Sequence, residues 1–245
     1  MPSIKRYLPF GLKRWVKESA AAMFNIPMSR FDVPISLMKV LPRKRPITLI
    51  DLGASTGSFT SVLDRYCGIQ KALLIEPQPK RIETMKAKLP GNRFSFACAA
   101  VSSEESTIEM DILNWDYSSS ILPVRRDIPT VTDAIDLGVR ERIQVQASTL
   151  DNLCAAHRFD GFIDLLKIDV QGAEGLALAG AADVLRRTGL IWMELSLQPL
   201  YEGCVTIEGM IKLCRDHGFK LTDLEDCFRG SDGELLCVDA LFSSK

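Results

Sequence analysis

The feature that most restricts the fold of this chain is a set of short apolar segments that alternate with amphipathic ones from Ile47 onward. In chain order the apolar segments read ITLID, KALLIEP, RFSFACAAVS, FIDLLKIDV and LIWMEL. Between them lie helical patterns such as SFTSVLDRY, PKRIETMKAKL and AEGLALAGAADVLRR. Strands that are apolar on both faces and alternate with helices predict an α/β domain, in which helices cover both faces of a mostly parallel sheet.

The C-terminal part of the chain follows a different pattern. The helical segment IEGMIKLCRDHG leads to FKLTDLED, and the turn Ser231-Asp232-Gly233 precedes GELLCVDALF. Two strand-like segments joined by a turn predict a closing antiparallel hairpin. A length of 245 residues fits one large domain with a small extension. We therefore divide the chain into an extension, residues 1–45, and a main domain, residues 46–245.

The extension differs from the main domain in charge. Residues 1–45 hold ten Lys or Arg against Glu18 and Asp32, a net charge of +8, so the remainder carries −9. An acidic main domain argues against a nucleic-acid platform, and no nucleic-acid partner is expected. Bulky apolar residues also interleave with the basic ones, which leaves two interpretations open. One is a helical lid on the main domain, which the four prolines between residues 27 and 46 favour. The other is peripheral contact with an anionic membrane surface.

Cysteine usage and hydropathy indicate the compartment. The seven cysteines are scattered, with no C-x-x-C pair and no zinc-like spacing, as is typical of reduced thiols in the cytosol. No metal site is therefore predicted. No apolar stretch reaches the roughly 18 residues that span a bilayer, and no signal-peptide pattern opens the chain. We expect a cytoplasmic protein, and nothing in the sequence indicates its oligomeric state.

The segment LIDLGASTGSF follows the first predicted strand and has the composition of a ligand-binding turn. Gly53 and Gly57 allow the backbone to approach a ligand closely, and the turn lies at the strand end where open parallel sheets bind ligands. Glu76 ends the next strand and can accept hydrogen bonds from both hydroxyls of a ribose. No Gly-Lys-Ser/Thr follows, and the spacing is not G-x-G-x-x-G, which argues against a phosphate-binding loop and a dinucleotide site. Asp51, just ahead of the glycines, favours a cationic ligand such as S-adenosylmethionine.

The segments LIDLGASTGSFT, LLIEPQP, ACAAVSS, LLKIDVQGAE and IWMEL together resemble the FkbM family of S-adenosylmethionine-dependent methyltransferases. The resemblance runs from about Ile47 to the C-terminus. It implies the class I methyltransferase fold, with seven strands of which the last is antiparallel, and O-methylation of a sugar or polyketide hydroxyl. It also implies a cofactor site. Its residues are Asp51, Gly53, Ala54, Ser55 and Gly57 in the first turn, Glu76 and Pro77 beside the ribose, Ala99 and Ala100 beside the adenine at the end of the third strand, and Asp169. Ser55 stands where the family often has Asn.

The segment LLKIDVQGAE holds the candidate catalytic residues. Alternation along a strand places Lys167 and Asp169 on one face, with Asp169 at the end nearer the ligand. An aliphatic hydroxyl needs assistance to lose its proton, so Asp169 is the candidate base or hydroxyl-orienting residue, with Lys167 holding its orientation. Glu174, which begins the following helix, and Glu194, which ends the fifth strand, are candidates for binding acceptor hydroxyls. A purely structural pair at the sheet edge is the alternative for Lys167 and Asp169.

Candidate acceptor contacts come from the segment WDYSSSILP, in the long insertion between the third and fourth strands. Trp115 and Tyr117 suit stacking on a sugar ring, and Ser119 and Ser120 suit its hydroxyls, although a polar surface loop explains them equally well. His157 and His217 have no partner at catalytic or metal-ligand spacing and are expected to be structural.

The function predicted from sequence is O-methylation of a small-molecule or glycan acceptor with S-adenosylmethionine as the cofactor. Two alternatives remain. One is methylation of a macromolecule such as an RNA 2'-hydroxyl. The other is a non-catalytic nucleoside-binding module. The Asp/Asn-Pro-Pro-Tyr/Phe motif of enzymes that methylate exocyclic base nitrogens is absent from the sequence.

Overall fold

A computed structural model describes residues 34–42, 45–114, 118–125, 127, 136–229 and 233–245. Its ten strands are β1 (Ile47–Leu52), β2 (Ile69–Ile75), β3 (Phe94–Ala97), β4 (Ala100–Val101), β5 (Ser106–Leu113), β6 (Val139–Ser148), β7 (Ile163–Ile168), β8 (Thr188–Ser196), β9 (Phe219–Arg229) and β10 (Leu235–Ser244). Its seven helices are α1 (Ile35–Val40), α2 (Ser58–Tyr66), α3 (Pro79–Lys88), α4 (Leu150–Ala156), α5 (Glu174–Ala179), α6 (Ala182–Arg186) and α7 (Ile207–Asp216).

Seven of the strands form one sheet in the order β3-β2-β1-β7-β8-β10-β9. Strand β1 pairs in parallel with β2 and β7, and β7 pairs in parallel with β8. Strand β10 is antiparallel to both of its neighbours, β8 and β9. The predicted parallel sheet and closing hairpin are therefore confirmed. The order reverses between β1 and β7, which is where an open α/β sheet leaves a crevice for a ligand.

The apolar composition of the strands reflects burial on both faces of this sheet. Along β1, Ile47 and Leu49 belong to one buried cluster, whereas Ile50 and Leu52 belong to another on the opposite face. All four side chains are inaccessible to solvent. Burial on both faces explains why the segment reads as a continuous apolar run rather than an alternating one.

A second sheet of three strands, in the order β4-β6-β5, occupies the predicted insertion. It has its own small apolar cluster, which includes Met110, Ile112 and Val145. RFSFACAAVS was predicted to be one strand, and this prediction is wrong: β3 ends at Ala97, and Ala100 begins β4 in the second sheet. Apolar composition cannot reveal the division, because both short strands are buried.

Helix starts follow local capping rules at two places. The hydroxyl oxygen of Thr149 accepts a hydrogen bond from the amide of Asn152 ahead of α4, and Thr206 accepts one from Gly209 ahead of α7. Each satisfies an amide that has no partner within the helix.

Part of the predicted extension packs on the main domain. Leu37 in α1 and Leu41 just after it are buried in the same cluster as Leu49, and the Tyr66 hydroxyl donates to Met38 O at 2.8 Å. Residues 1–33 lie outside the described residues, and most of the predicted lid or membrane segment falls there. Among the helices given above, none is both long and apolar enough to cross a membrane.

Candidate active site

A cavity of about 230 Å³ opens at the carboxyl ends of the central strands. It is lined by Gly53 after β1, Glu76 after β2, Asp169 after β7 and Glu194 near the end of β8. The second sheet and the loop that follows β5 form the opposite wall. Their lining residues are Ala100, Val101, Met110, Ser119, Ser120 and Ile121. The cavity therefore lies at the point where the strand order reverses, between a parallel sheet and a smaller one.

The turn after β1 is shaped by close backbone contacts. Gly53 has φ of +69°, and a Cβ on it would lie 1.8 Å from the carbonyl oxygen of Asp169. Its amide and that of Ala54 donate to Ile75 O at 3.0 and 3.1 Å, which ties the turn to the end of β2. Gly57 also has φ of +69°, and a Cβ there would lie 2.9 Å from a methyl group of Leu89. Both glycines are thus favoured by backbone conformation, and Gly53 is also required by space, because the atom that a Cβ would meet belongs to the backbone.

Glu76 and Ser55 are joined across this turn. Ser55 has φ of +50°, and its amide donates to Glu76 Oε2 at 3.0 Å. The amide of Gln78 donates to Oε1 at 3.1 Å, and the Arg81 guanidinium lies 3.7 Å from Oε2. Burial nevertheless raises the pKa of Glu76, only partly offset by Arg81 and the two amides. Because its present partners do not fully compensate for burial, this carboxylate would be stabilised by further hydrogen bonds from donors in the cavity.

Lys167 joins the ends of β1 and β7. Its ammonium lies 3.1 Å from Asp51 Oδ1 and 3.3 Å from Asp169 Oδ2, and it donates to Gly53 O at 2.9 Å. Thr60 donates to the other oxygen of Asp51 at 2.7 Å. Burial acts to lower the pKa of Lys167, but the two carboxylates raise it above its ordinary value. The lysine is therefore a fixed cation between two carboxylates.

The loop after β7 holds Asp169 from its other side. Gln171 has φ of +54°, and its side-chain amide donates to Asp169 Oδ1 at 2.7 Å. The Tyr201 hydroxyl is within hydrogen-bonding distance of Gln171 Oε1 (3.1 Å) and Ser118 O (2.9 Å). Gly172 packs against the Tyr201 ring, where a Cβ would lie 2.6 Å from a ring carbon. Both oxygens of Asp169 thus have a partner, while a third of its side-chain surface stays exposed.

Glu174 is turned toward the backbone of the same loop. Its Oε1 accepts from the amides of Val170 and Gly172, each at 3.2 Å. Burial raises the pKa of this carboxyl to about 7. Its contacts stabilise the loop that carries Gln171, and it does not line the cavity.

The wall opposite the sheet carries the two serines of the predicted acceptor segment. Ser120 donates to Gln171 O at 2.7 Å, and Ser119 Oγ accepts from the amide of Leu113 at 3.2 Å. Both line the cavity, together with Glu194, whose pKa is raised to about 7 by burial and by Asp169. Residues 115–117, with the predicted Trp115 and Tyr117, lie outside the described residues.

A sequence profile of the family described as Methyltransferase FkbM domain matches residues 51–221. The chain belongs to the FkbM family. NoeI of Sinorhizobium fredii, described as a 2-O-methyltransferase, is 26% identical over 218 residues, which cover 86% of this chain and 87% of NoeI.

Two solved structures resemble the fold of this FkbM protein. The FkbM methyltransferase of Methylobacillus flagellatus aligns over 82% of this chain with a TM-score of 0.51 and 13% identity. The match covers 45% of the Methylobacillus chain, so this protein spans less than half of that relative. A Listeria monocytogenes protein assigned to S-adenosylmethionine-dependent methyltransferases aligns with a TM-score of 0.50 and 10% identity, over 85% of this chain and 96% of its own. Both support the class I methyltransferase fold.

Membership of the FkbM family makes this chain an S-adenosylmethionine-dependent methyltransferase. The cavity fits that cofactor. Glu76 presents a buried carboxylate able to accept from ribose hydroxyls, and the apolar stretch from Ala99 to Val101 offers a wall for a flat base. Gly53 lets the turn after β1 pack directly against the Asp169 backbone, beside the same cavity.

The FkbM site brings together most of the predicted residues. Those that line the cavity are Gly53, Ser55, Glu76, Pro77, Ala99, Ala100, Ser119, Ser120, Asp169 and Glu194. Those placed behind the lining are Asp51, Ala54, Gly57, Lys167 and Glu174. Asp51 is fully buried, and its carboxylate faces Lys167 and Thr60.

Sequence reasoning did not single out three residues of this FkbM site, Arg81, Gln171 and Tyr201. Gln171 stood inside the quoted segment LLKIDVQGAE, so its position after the catalytic strand was available as a signal. Arg81 lines the cavity from the predicted helix PKRIETMKAKL, where nothing local marks it. Tyr201 lies behind the lining, and only the fold brings its hydroxyl to Gln171. The two histidines lie elsewhere: His157 and His217 directly follow α4 and α7 as their C-cap residues.

Proposed function

We propose that this FkbM methyltransferase transfers the methyl group of S-adenosylmethionine to a hydroxyl oxygen of a sugar, glycan or related small-molecule natural product. The observation that carries the proposal is the Asp169 carboxylate, which lines the cavity while Lys167 and Gln171 fix its two oxygens. The 2-O-methyltransferase description of NoeI supports oxygen as the acceptor atom.

In this proposal, the cofactor lies along the carboxyl ends of β1, β2 and β7. Glu76 accepts from the ribose hydroxyls, the turn of Gly53 and Ser55 faces the methionine part, and Ala99 and Ala100 border the adenine. Asp51 acts indirectly, by holding the Lys167 ammonium against Gly53 O. Lys167 is therefore a positioning residue, because its contacts orient both the turn and Asp169.

The proposed reaction is an in-line displacement at the methyl carbon. The acceptor oxygen forms a bond to this carbon as the bond from carbon to sulfur breaks, and the sulfur leaves as a neutral thioether. The hydroxyl proton passes to Asp169, which lies at the cavity edge and is partly exposed. Positioning of the two reactants supplies much of the rate enhancement, and the base adds to it.

The acceptor side of the cavity is assigned to Ser119, Ser120 and Glu194. The two serines lie on the wall opposite the sheet, Glu194 lies on β8 on the same side as Asp169, and Ser120 is fixed by its bond to Gln171 O. Trp115 and Tyr117 are retained as candidate stacking residues of the same segment. Glu174 is assigned to loop stabilisation rather than to substrate, because its bonded oxygen faces two backbone amides.

The proposal is tested by incubating the enzyme with isotopically labelled S-adenosylmethionine and panels of nucleotide sugars, lipid-linked glycans, polyketides and RNA. We expect label in an O-methyl group of a compound from the first three panels, identified by mass spectrometry and by the chemical shift of the new methyl group. Label on nitrogen or carbon, or label only in RNA, would overturn the assignment. Asp169→Asn serves as the control for enzyme-dependent transfer.

A further inference from the structure

Three potential metal ligands meet on neighbouring antiparallel strands beside the cavity. Glu194 lies on β8, Cys227 on β9 and Cys237 on β10. Their ligand atoms all lie within 4.8 Å of one another, and Cys227 Sγ is 3.1 Å from Glu194 Oε2. The two cysteines are ten residues apart in sequence, and the glutamate is more than thirty residues before them. The group therefore matches no short metal-binding motif in the sequence.

The strand register places these side chains on one face of the sheet. Asp239 pairs directly with Glu194 on β8, and Cys237 is two residues before Asp239 on β10. On the other side of β10, Asp239 pairs with Glu225, and Cys227 is two residues after Glu225 on β9. A register shift at Cys237 and Val238 leaves Cys227 between two paired residues of β9. The 3.1 Å between Cys227 Sγ and Glu194 Oε2 nevertheless places its side chain on the same face of the sheet as Glu194.

We infer that Glu194, Cys227 and Cys237 form a binding site for a divalent transition-metal ion of the zinc type. A tetrahedral zinc ion has bonds of about 2.3 Å to sulfur and about 2.0–2.2 Å to carboxylate oxygen, which spaces its ligand atoms by roughly 3.5–3.8 Å. The observed group, with one pair at 3.1 Å and all atoms within 4.8 Å, reaches that spacing by small side-chain movements.

The donor atoms select the class of ion. Two thiolates favour a soft or borderline ion and disfavour magnesium and calcium, which require oxygen ligands. Three protein ligands leave a fourth position open, as in zinc sites that exchange a water or substrate. Glu194 also lines the cavity, so the proposed ion would lie beside the acceptor side.

The charges around the group also favour a bound cation. Glu194 pairs directly with Asp239 on β10, and Asp239 pairs with Glu225 on β9, so carboxyl groups accumulate across these three strands. The Asp239 carboxylate further accepts a hydrogen bond from the Cys227 thiol, which places it as an outer partner of a ligand. A divalent ion would neutralise this accumulation of carboxyl groups and deprotonate both thiols.

The test uses the full-length protein, fully reduced, treated with a chelator and held without oxygen. Cobalt(II) is the spectroscopic probe and zinc(II) the competitor. We expect one cobalt ion per chain, a sulfur-to-cobalt charge-transfer band in the near ultraviolet, and loss of the band when zinc is added. This measurement needs no acceptor and no methyl transfer, so its result is independent of the proposed function.

Variants then identify the ligands. Loss of a group that only hydrogen-bonds to a metal ligand weakens metal binding by about 10–100-fold. Cys227→Ser and Cys237→Ser each remove a ligand, so each should weaken cobalt binding by more than this. Cys98→Ser is the matched control, because Cys98 is exposed like Cys227 and lies outside the group; it should retain the band. Circular dichroism checks that each variant is folded. Absence of a stoichiometric sulfur-to-cobalt band in folded, reduced wild-type protein would overturn the inference, as would equal weakening in Cys98→Ser.

Discussion

Among single residues, Glu76 has a carboxylate that is buried and held in place by backbone hydrogen bonds. It is almost inaccessible to solvent, accepts hydrogen bonds from two backbone amides, and lines the cavity. We expect Glu76→Ala to weaken binding of both S-adenosylmethionine and its demethylated product by about 1.5–3 kcal/mol, the usual effect of removing a charged hydrogen-bond acceptor. Isothermal titration calorimetry measures both affinities, with the exposed Glu83→Ala on α3 as the control. Unchanged affinities in a folded Glu76→Ala protein would contradict the ribose assignment.

A change at Asp169 is expected to affect the rate of methyl transfer much more than the affinity for the cofactor. Asp169→Asn keeps the size of the side chain but removes the base, so turnover should fall by roughly 100-fold or more. Cofactor affinity should stay within a few-fold, and Asp160→Asn, an exposed change in the loop before β7, should alter neither. Single-turnover kinetics with labelled cofactor give the rate. A variant that turns over at the wild-type rate would leave Asp169 with a structural role.

The site residues that lie in sequence motifs could be predicted, whereas those that reach the site only through contacts distant in sequence could not. Asp169 and Glu76 were identifiable because each directly follows an apolar strand, and strand ends meet at one edge of a parallel sheet. Tyr201 reaches Gln171 from a loop 30 residues away. Cys227 and Cys237 approach Glu194 through antiparallel pairing, whose register depends on bulges that the sequence does not reveal.

At the scale of elements, the contact between the β1 turn and the end of β7 is set by a single glycine. A Cβ at Gly53 would lie 1.8 Å from Asp169 O, and φ is positive. Gly203 has a similar φ of +75° but nothing within 4 Å of its Cβ position. Gly203→Ala should therefore lower the free energy of unfolding by only about 1 kcal/mol, the cost of backbone strain. Gly53→Ala should lower it by well above 2 kcal/mol. Urea denaturation compares the two free energies of unfolding. Equal losses would mean that the turn relaxes freely.

The large sheet was predictable element by element, but the small one was not. Buried parallel strands give continuous apolar runs, and β1, β2, β7 and β8 all stand out in this way. In contrast, the outer residues of β5 and β6 are exposed, and the chain between β3 and β4 is only two residues long. The pairing of β5 with β6 across a segment of 25 residues depends on contacts distant in sequence, which local composition does not contain.

At the scale of the whole molecule, buried carboxyl groups make stability depend on pH. Burial raises the pKa of Glu174, Glu194 and Asp239 to about 7, so the folded protein keeps protons that the unfolded chain releases above about pH 4 to 4.5. Stability should therefore fall as the pH rises from about 4.5 to about 7, with a slope of up to about 1.36 kcal/mol per pH unit for each group.

Glu174→Gln isolates one contribution to this slope. The amide oxygen can still accept from Val170 and Gly172, so the loop is retained while the titrating group is removed. We expect a shallower decline of the free energy of unfolding between pH 5 and pH 7.5, measured in urea at several pH values. Glu83→Gln, an exposed change on α3, should leave the slope as in wild type. A Glu174→Gln slope equal to that of wild type would show that this carboxyl does not titrate with folding.

The charges that line the cavity also bear on how a catalytic cycle ends. Among the described lining residues, three carry carboxyl groups (Glu76, Asp169 and Glu194) and one carries a guanidinium (Arg81), which lies beside Glu76. S-adenosylmethionine enters with one more positive charge than its product carries out, because transfer of the methyl group turns a sulfonium into a neutral thioether. An acidic lining therefore attracts the reactant more strongly than the product. Under the proposed function, methyl transfer thus removes one electrostatic attraction between the cofactor and the cavity.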